Sequence, residues 1–194
     1  SKEKIESELD FIGARLNTYA SKESAGLSAK FASKDQDKVF PIIKEVLADP
    51  VFNEQEFEKE KKRVLSGLER AKESPRSVIG SYWDKFMYGN HVYGNAVSGN
   101  PATVGKFNVS DLKSFYKANY SPAGSAIAIV GDFNSKTMKA KISKMFAGWK
   151  KLDAGQKNLA SEPVSVIKAN RVLLVNKDDA RETTFLIGGP GIRR

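Results

Sequence analysis

Side chains able to do chemistry are few in this chain. Its single histidine is His91, in Tyr88-Gly-Asn-His-Val-Tyr-Gly94. A catalytic zinc takes three protein ligands, commonly including two histidines, and keeps a further position open. One histidine does not meet that requirement. A Ser-His-Asp triad is possible on composition, but no Gly-x-Ser-x-Gly elbow accompanies the histidine. His91 therefore reads as a structural or solvent-facing loop residue. The absence of cysteine excludes thiol catalysis, disulfides and cysteine-ligated zinc. The glycines within 188–191 lack the Gly-Lys-Ser/Thr ending and the following helix of a phosphate loop. Asp178 and Asp179 are adjacent acids in a turn, the pattern of a solvated loop rather than of a catalytic dyad. On these motifs the chain is an α/β domain without a visible active site.

The elements that would carry any site are legible from periodicity. Ile5, Leu9 and Ile12 recur at helical spacing, with Ser1 as cap and Gly13 as stop. Residues 15–21 and 23–32 read as strands. In the second, Ala25, Leu27, Ala29 and Phe31 alternate strictly, which turns one face inward. The short link around Lys22 makes the two an antiparallel hairpin. Residues 35–48 predict a helix with Val39, Ile43, Val46 and Leu47 inward and Pro41 near its first turn. Asn53 caps the next helix, with Glu56 in the capping-box place. The buried stripe of that helix is Phe57, Val64, Leu65, Leu68 and Ala71. Glu58 and Lys62 form an i,i+4 pair on its surface. Ser74-Pro75 ends or kinks it.

A helix over 77–88 follows, with Val78, Ile79, Tyr82 and Phe86 inward and Gly89 as its stop. Then come a loop over 89–106 and a short helix capped by Asn108 or Ser110. The nearly all-apolar run 125–130 predicts a central, buried strand. The last helix carries Met138, Ile142, Met145, Phe146 and Trp149 on one stripe. Residues 150–170 read as a linker. Residues 171–175 and 183–187 read as strands, the second broken by the glycines within 188–191. The fold class expected is α+β: a mixed, largely antiparallel sheet with helices packed on it. Residues 1–149 would be most of a first domain, and 171–194 the first strands of a second, with the fold truncated at both ends.

Composition narrows the function classes. The chain has 194 residues, 40% of them hydrophobic and 28% charged, the balance of a globular protein. No stretch approaches the roughly 18 apolar residues of a membrane-spanning helix. The first residues lack the apolar core of a signal peptide. A net charge of +9 raises nucleic acid as a partner. The lysines argue against it: they lie among acids or along the outer faces of amphipathic helices, with no arginine-rich cluster and no interleaved aromatics.

Four segments in register resemble one family. Ile12-Gly-Ala-Arg-Leu-Asn-Thr-Tyr-Ala-Ser-Lys-Glu23 resembles a Gly-x-x-Leu-Asn-Ala-x-Thr-Ser-x-Glu hairpin. Phe57-Glu-Lys-Glu-Lys61 resembles a Glu-Arg-Glu-Arg helix start. Tyr88-Gly-Asn-His-Val-Tyr-Gly94, with Gly99, resembles a Gly-His-Pro-Tyr-Gly…Gly loop. Asn119-Tyr-Ser-Pro-Ala123 through Ile129-Val-Gly-Asp132 resembles a Tyr-x-Pro-x-Asn…Val-Gly-Asp strand. Together, across most of 1–150, they are similar to the pitrilysin/insulinase-type metallopeptidases, the group that includes mitochondrial processing peptidase.

The resemblance implies paired, homologous α/β domains, a zinc held by His-x-x-Glu-His, and a later helical glutamate that completes the site. Residues 1–194 contain no such motif. The glutamate aligns with Gly67, its acidic neighbour with Ser66. Gly67 lies one turn from Val64 and Ala71, at the margin of the buried stripe, so close helix packing is expected there. Glu69 is about 200° around the helix and cannot substitute. No catalytic or metal-binding residue is therefore assigned, and zinc is expected in the family or in a partner subunit. The pattern Leu65-Ser-Gly-Leu-Glu69 through Ser74-Pro75 looks closer to bacterial non-catalytic partners; no residue fixes the compartment, and the bacterial periplasm or cell envelope is the expectation. Those partners carry an Arg/Tyr pair in their second domain, a region that would lie past Arg194.

In active relatives the strand matching 16–20 is a sheet edge that pairs with extended substrate. Asn17, Thr18, Tyr19 and Ala20 are carried over as substrate-binding positions. The expected partners are a homologous subunit, or a second half of the same protein, and a peptide. Two alternatives stand beside this: a catalytic zinc metalloendopeptidase whose His-x-x-Glu-His lies outside these residues, and a structural or assembly protein of the same fold.

Overall fold

The structure, a computed structural model, describes residues 2–152 and 169–189. The Ser1 cap, residues 153–168 of the expected linker, and residues 190–194 lie outside them. The chain divides into two compact units: Ser1–Ala20, Ser24–Phe57 and Asn108–Lys157 form the first; Ser21–Glu23, Glu58–Phe107 and Asn158–Arg194 form the second.

In the first unit, helix α1 (Lys2–Phe11) is followed by strands β1 (Arg15–Ala20) and β2 (Ala25–Lys30) and helix α2 (Gln36–Ala48). Gly13, at φ +64°, ends α1 in the left-handed conformation that glycine adopts without a Cβ penalty. The Ala14 N–H then returns to the Leu9 carbonyl at 2.9 Å. Leu9, Ala14, Val39 and Ile42 form the core, with Ile5, Ile12, Leu16, Phe31, Ile43 and Val46 against it. Phe31 meets Phe40 edge to face at 5.6 Å, a favoured aromatic geometry. Pro41 falls inside α2, past the first turn where it was expected, and so removes an intrahelical donor.

Helices α6 (Val109–Asn119) and α7 (Ser135–Met145) complete the first unit. Asn108 is the cap of α6, in a reciprocal box with Asp111. Tyr116 on α6 donates to the Leu47 carbonyl at 2.7 Å and stacks on Tyr120. Ser121 is buried; its hydroxyl accepts from the Ala123 and Leu152 N–H groups at 3.1 and 2.9 Å.

Helix α3 (Glu54–Ala71) supplies the second unit from Glu58 onward. Its start is fixed as expected by Asn53, whose side chain accepts from the Glu56 N–H at 3.0 Å. Glu58 pairs with Lys61 at 3.9 Å, not with Lys62. Helix α4 (Pro75–Tyr88) begins with Pro75 in its first turn, where the missing N–H costs nothing. A one-turn helix, α5 (Pro101–Val104), lies within the expected loop, closed by a box between Asn100 and Thr103.

The fold is α+β, and its strand pairing is antiparallel. Among the described residues the sheet is two-stranded. The runs 125–130, 171–175 and 183–187, expected as strands, join no ladder. The central, buried strand is not found: Val130 is 98% exposed, and Val172, Leu174 and Phe185 are exposed as well. An apolar run records a preference for burial, but a strand also needs a neighbour for its N–H and C=O groups. The described residues supply none to these runs.

Candidate functional site

All four expected substrate-binding positions lie on β1. Asn17, Thr18, Tyr19 and Ala20 are exposed. β1 pairs antiparallel with β2 in one unbroken register, Arg15 opposite Lys30 through Ala20 opposite Ala25. Successive side chains leave a strand on opposite faces. Leu16 turns to the core cluster. Arg15, Asn17 and Tyr19 share the other face with Lys30, Ser28 and Gly26.

Gly26 has a defined reason to lack a side chain. A Cβ there would come within 2.6 Å of the Tyr19 hydroxyl and 2.7 Å of its ring, so the ring lies across the glycine. This is how an aromatic compensates a strand glycine. Among the described residues β1 has no strand on its other side. Its outward main-chain groups form a row able to accept an added extended strand.

Gly67 lies within α3. A Cβ at Gly67 would meet nothing within 4 Å. The expected close packing is therefore not found among the described residues: the position is at the margin of the stripe, with room for a Cβ. Glu69 holds the Lys72 amine with both oxygens at 2.8 Å. Among the described residues no group of three or more His, Asp or Glu could hold a metal ion. The donor set in the described residues does not fit a zinc site.

His91 has a structural job. Its Nδ1 accepts from the Tyr93 N–H at 3.2 Å, and its ring packs edge-on to Tyr93 at 4.9 Å. The surrounding loop needs its glycines. Gly89 caps α4 at φ +56°, and a Cβ on Gly94 would stand 2.5 Å from the Gly89 carbonyl oxygen.

The hairpin turn joins this loop, which no local pattern announced. The Lys22 amine donates to Asp84 on α4 and to the Tyr93 carbonyl. The Tyr93 hydroxyl donates to Glu23. The charges at 22, 23 and 84 are plain in the sequence, but their pairing spans 62 and 70 positions and carries no local signal. The acid pair forms a turn closed from Ala180 N–H to the Lys177 carbonyl at 3.0 Å. Lys177 beside Asp179 holds that carboxyl below its usual range, as an ion pair in solvent does.

Two family models match the chain: Insulinase (Peptidase family M16) over residues 1–100, and Peptidase M16 inactive domain over residues 106–192. The chain belongs to peptidase family M16. This M16 chain is 25% identical over 149 residues to an uncharacterized zinc protease of Bacillus subtilis, covering 77% of itself and 36% of that protein. It is 25% identical over 127 residues to the beta subunit of the mitochondrial-processing peptidase of Bos taurus, covering 66% of itself and 26% of that protein. The crystal structure of a peptidase M16 inactive domain from Pseudomonas fluorescens superposes with a TM-score of 0.69 at 25% identity, over 74% of this chain and 35% of that one. The M16 chain thus spans well under half the length of each. No described helix is long and apolar enough to cross a membrane.

Proposed function

We propose that this M16 chain is part of a non-catalytic half that encloses and holds peptide for a zinc-bearing partner. That partner is a homologous subunit or the second half of the same protein. The observation that carries the reading is β1: exposed from Asn17 to Ala20, tied to the core at Leu16, and paired on one side alone among the described residues. An extended peptide added there gains main-chain hydrogen bonds along the open edge, and alternate side chains sort its sequence. The glycine at position 67, where the resemblance places a ligand glutamate, supports a binding role over a hydrolytic one. On the same reading, residues from 171 onward begin a second, homologous domain.

The test uses fluorescent extended peptides and the 194-residue chain. Saturable binding is expected to survive side-chain changes and to vanish when alternate peptide amides are N-methylated, because methylation removes ladder donors. Undiminished binding of the methylated peptide would sink strand addition. The Bacillus relative, named a zinc protease, favours the second reading, a catalytic endopeptidase with its His-x-x-Glu-His outside these residues. Stoichiometric zinc with hydrolysis by the longer protein alone would select it. No peptide binding at all would leave a structural or assembly role.

A further inference from the structure

β1 and β2 contain no acidic residue, yet two cations, Arg15 and Lys30, are placed directly opposite each other. Both are exposed. Like charges in that relation oppose strand pairing. The acids that follow β2 in sequence are engaged elsewhere: Asp35 with Lys38 at 3.9 Å, and Asp37 with Lys141. Among the described residues neither Arg15 nor Lys30 forms an ion pair. The same face carries Asn17 and Tyr19, two of the positions that an added strand would run beside.

We infer that Arg15, assisted by Lys30, makes this edge selective for peptides with an acidic side chain at the position that pairs with Arg15. The inference rests on the reading that β1 takes an extended peptide. Its geometry follows from strand spacing. A peptide added to β1 lies about 4.8 Å away. Its residue opposite Arg15 has a Cβ about 5 Å from that of Arg15, on the same face. Lys30 lies one strand further, about 10 Å from the peptide, where salt screens it. Arg15 therefore dominates and Lys30 adds a smaller share. A guanidinium also matches a carboxylate in a bidentate fork, which an ammonium cannot. The carboxylate relieves the repulsion that the hairpin bears when empty, so affinity for acid and strain without it have one origin.

The experiment measures fluorescence polarisation of acetylated, labelled peptides of alternating threonine and valine bearing one Glu, Gln or Lys at a stepped position. At low salt the 194-residue chain is expected to bind the best Glu peptide about fivefold tighter than its Gln twin, the scale of one exposed ion pair. The Lys peptide should bind more weakly than both, and high salt should shrink the difference. Arg15→Gln should remove the Glu advantage, so that Glu and Gln peptides bind alike, while an unchanged circular dichroism spectrum and an undiminished urea midpoint show that the variant is folded. Lys30→Gln should reduce the advantage less than twofold. Equal binding of Glu and Gln peptides would overturn the inference and leave strand addition standing. So would a preference lost in Lys30→Gln and kept in Arg15→Gln, which would put the peptide on the edge of β2. Failure of every peptide to bind would overturn the reading beneath it as well.

Discussion

The tip and the shaft of one hairpin use charge in opposite ways. At the tip, Lys22 has Asp84 and the Tyr93 carbonyl, and Glu23 has the Tyr93 hydroxyl. Along the shaft, Arg15 faces Lys30, and Tyr19 rests on a glycine. The tip is held by the fold; the shaft is open on one edge of each strand among the described residues. Groups already partnered can only hold structure. Groups left without partners, at some cost to stability, are the ones free to meet a ligand.

The largest effect should come from attacking the loop that receives the tip. Gly94→Ala forces a Cβ against the Gly89 carbonyl oxygen, and a loss of about 3 kcal/mol in urea unfolding is expected. An unchanged midpoint would show that the loop yields freely and that the tip is not held.

Next, Tyr116 is a group of the tip's kind, engaged within the fold. Tyr116→Phe removes its bond to the Leu47 carbonyl and should cost about 1 kcal/mol. Burial holds the Tyr116 phenol above its ordinary 10.0. The folded state thus favours the protonated form. That stability is complete below the unfolded pKa and is lost as pH rises through the folded one. Stability titrated above pH 10 should fall more in wild type than in Tyr116→Phe; parallel curves would remove the link.

Gly67→Ala tests an open position away from the hairpin. Since a Cβ there meets nothing, the variant should gain up to about 1 kcal/mol from helix propensity. Destabilisation would restore the close packing that the sequence led one to expect.

The smallest effects sharpen the contrast most. A double-mutant cycle of Lys22→Met with Asp84→Asn should give favourable coupling of about 1 kcal/mol or less, since both side chains are partly exposed, at 27% and 30%. The same cycle with Arg15→Gln and Lys30→Gln should give unfavourable coupling of about 0.5 kcal/mol. Couplings of equal sign would erase the distinction between tip and shaft.

Local features were legible because their causes are local. The Asn53 cap and the Gly13 stop each act within about four residues; Pro75, expected to end or kink the helix before it, instead opens α4. The hairpin was legible for the same reason: its turn is short and its alternation strict. Alpha5 was missed although Asn100, Pro101 and Thr103 carried its signal, because one turn leaves no periodic stripe. Run 125–130 departs from the expected strand because apolarity alone does not supply a neighbour for its N–H and C=O groups. At the candidate site, the four positions on β1 followed from a resemblance, whereas their exposure and open edge required the register.

By itself the sequence determined the longer helices, the Asn53 cap, the Gly13 stop and the hairpin, all of which depend on residue type and short spacing. Only the tertiary structure decided three other things. It brought Lys22 to Asp84 across 62 positions and Tyr93 to Glu23 across 70. It left space around Gly67. It set Arg15 opposite Lys30. Each depends on distances between residues that the chain does not make neighbours, and periodicity carries no information about them.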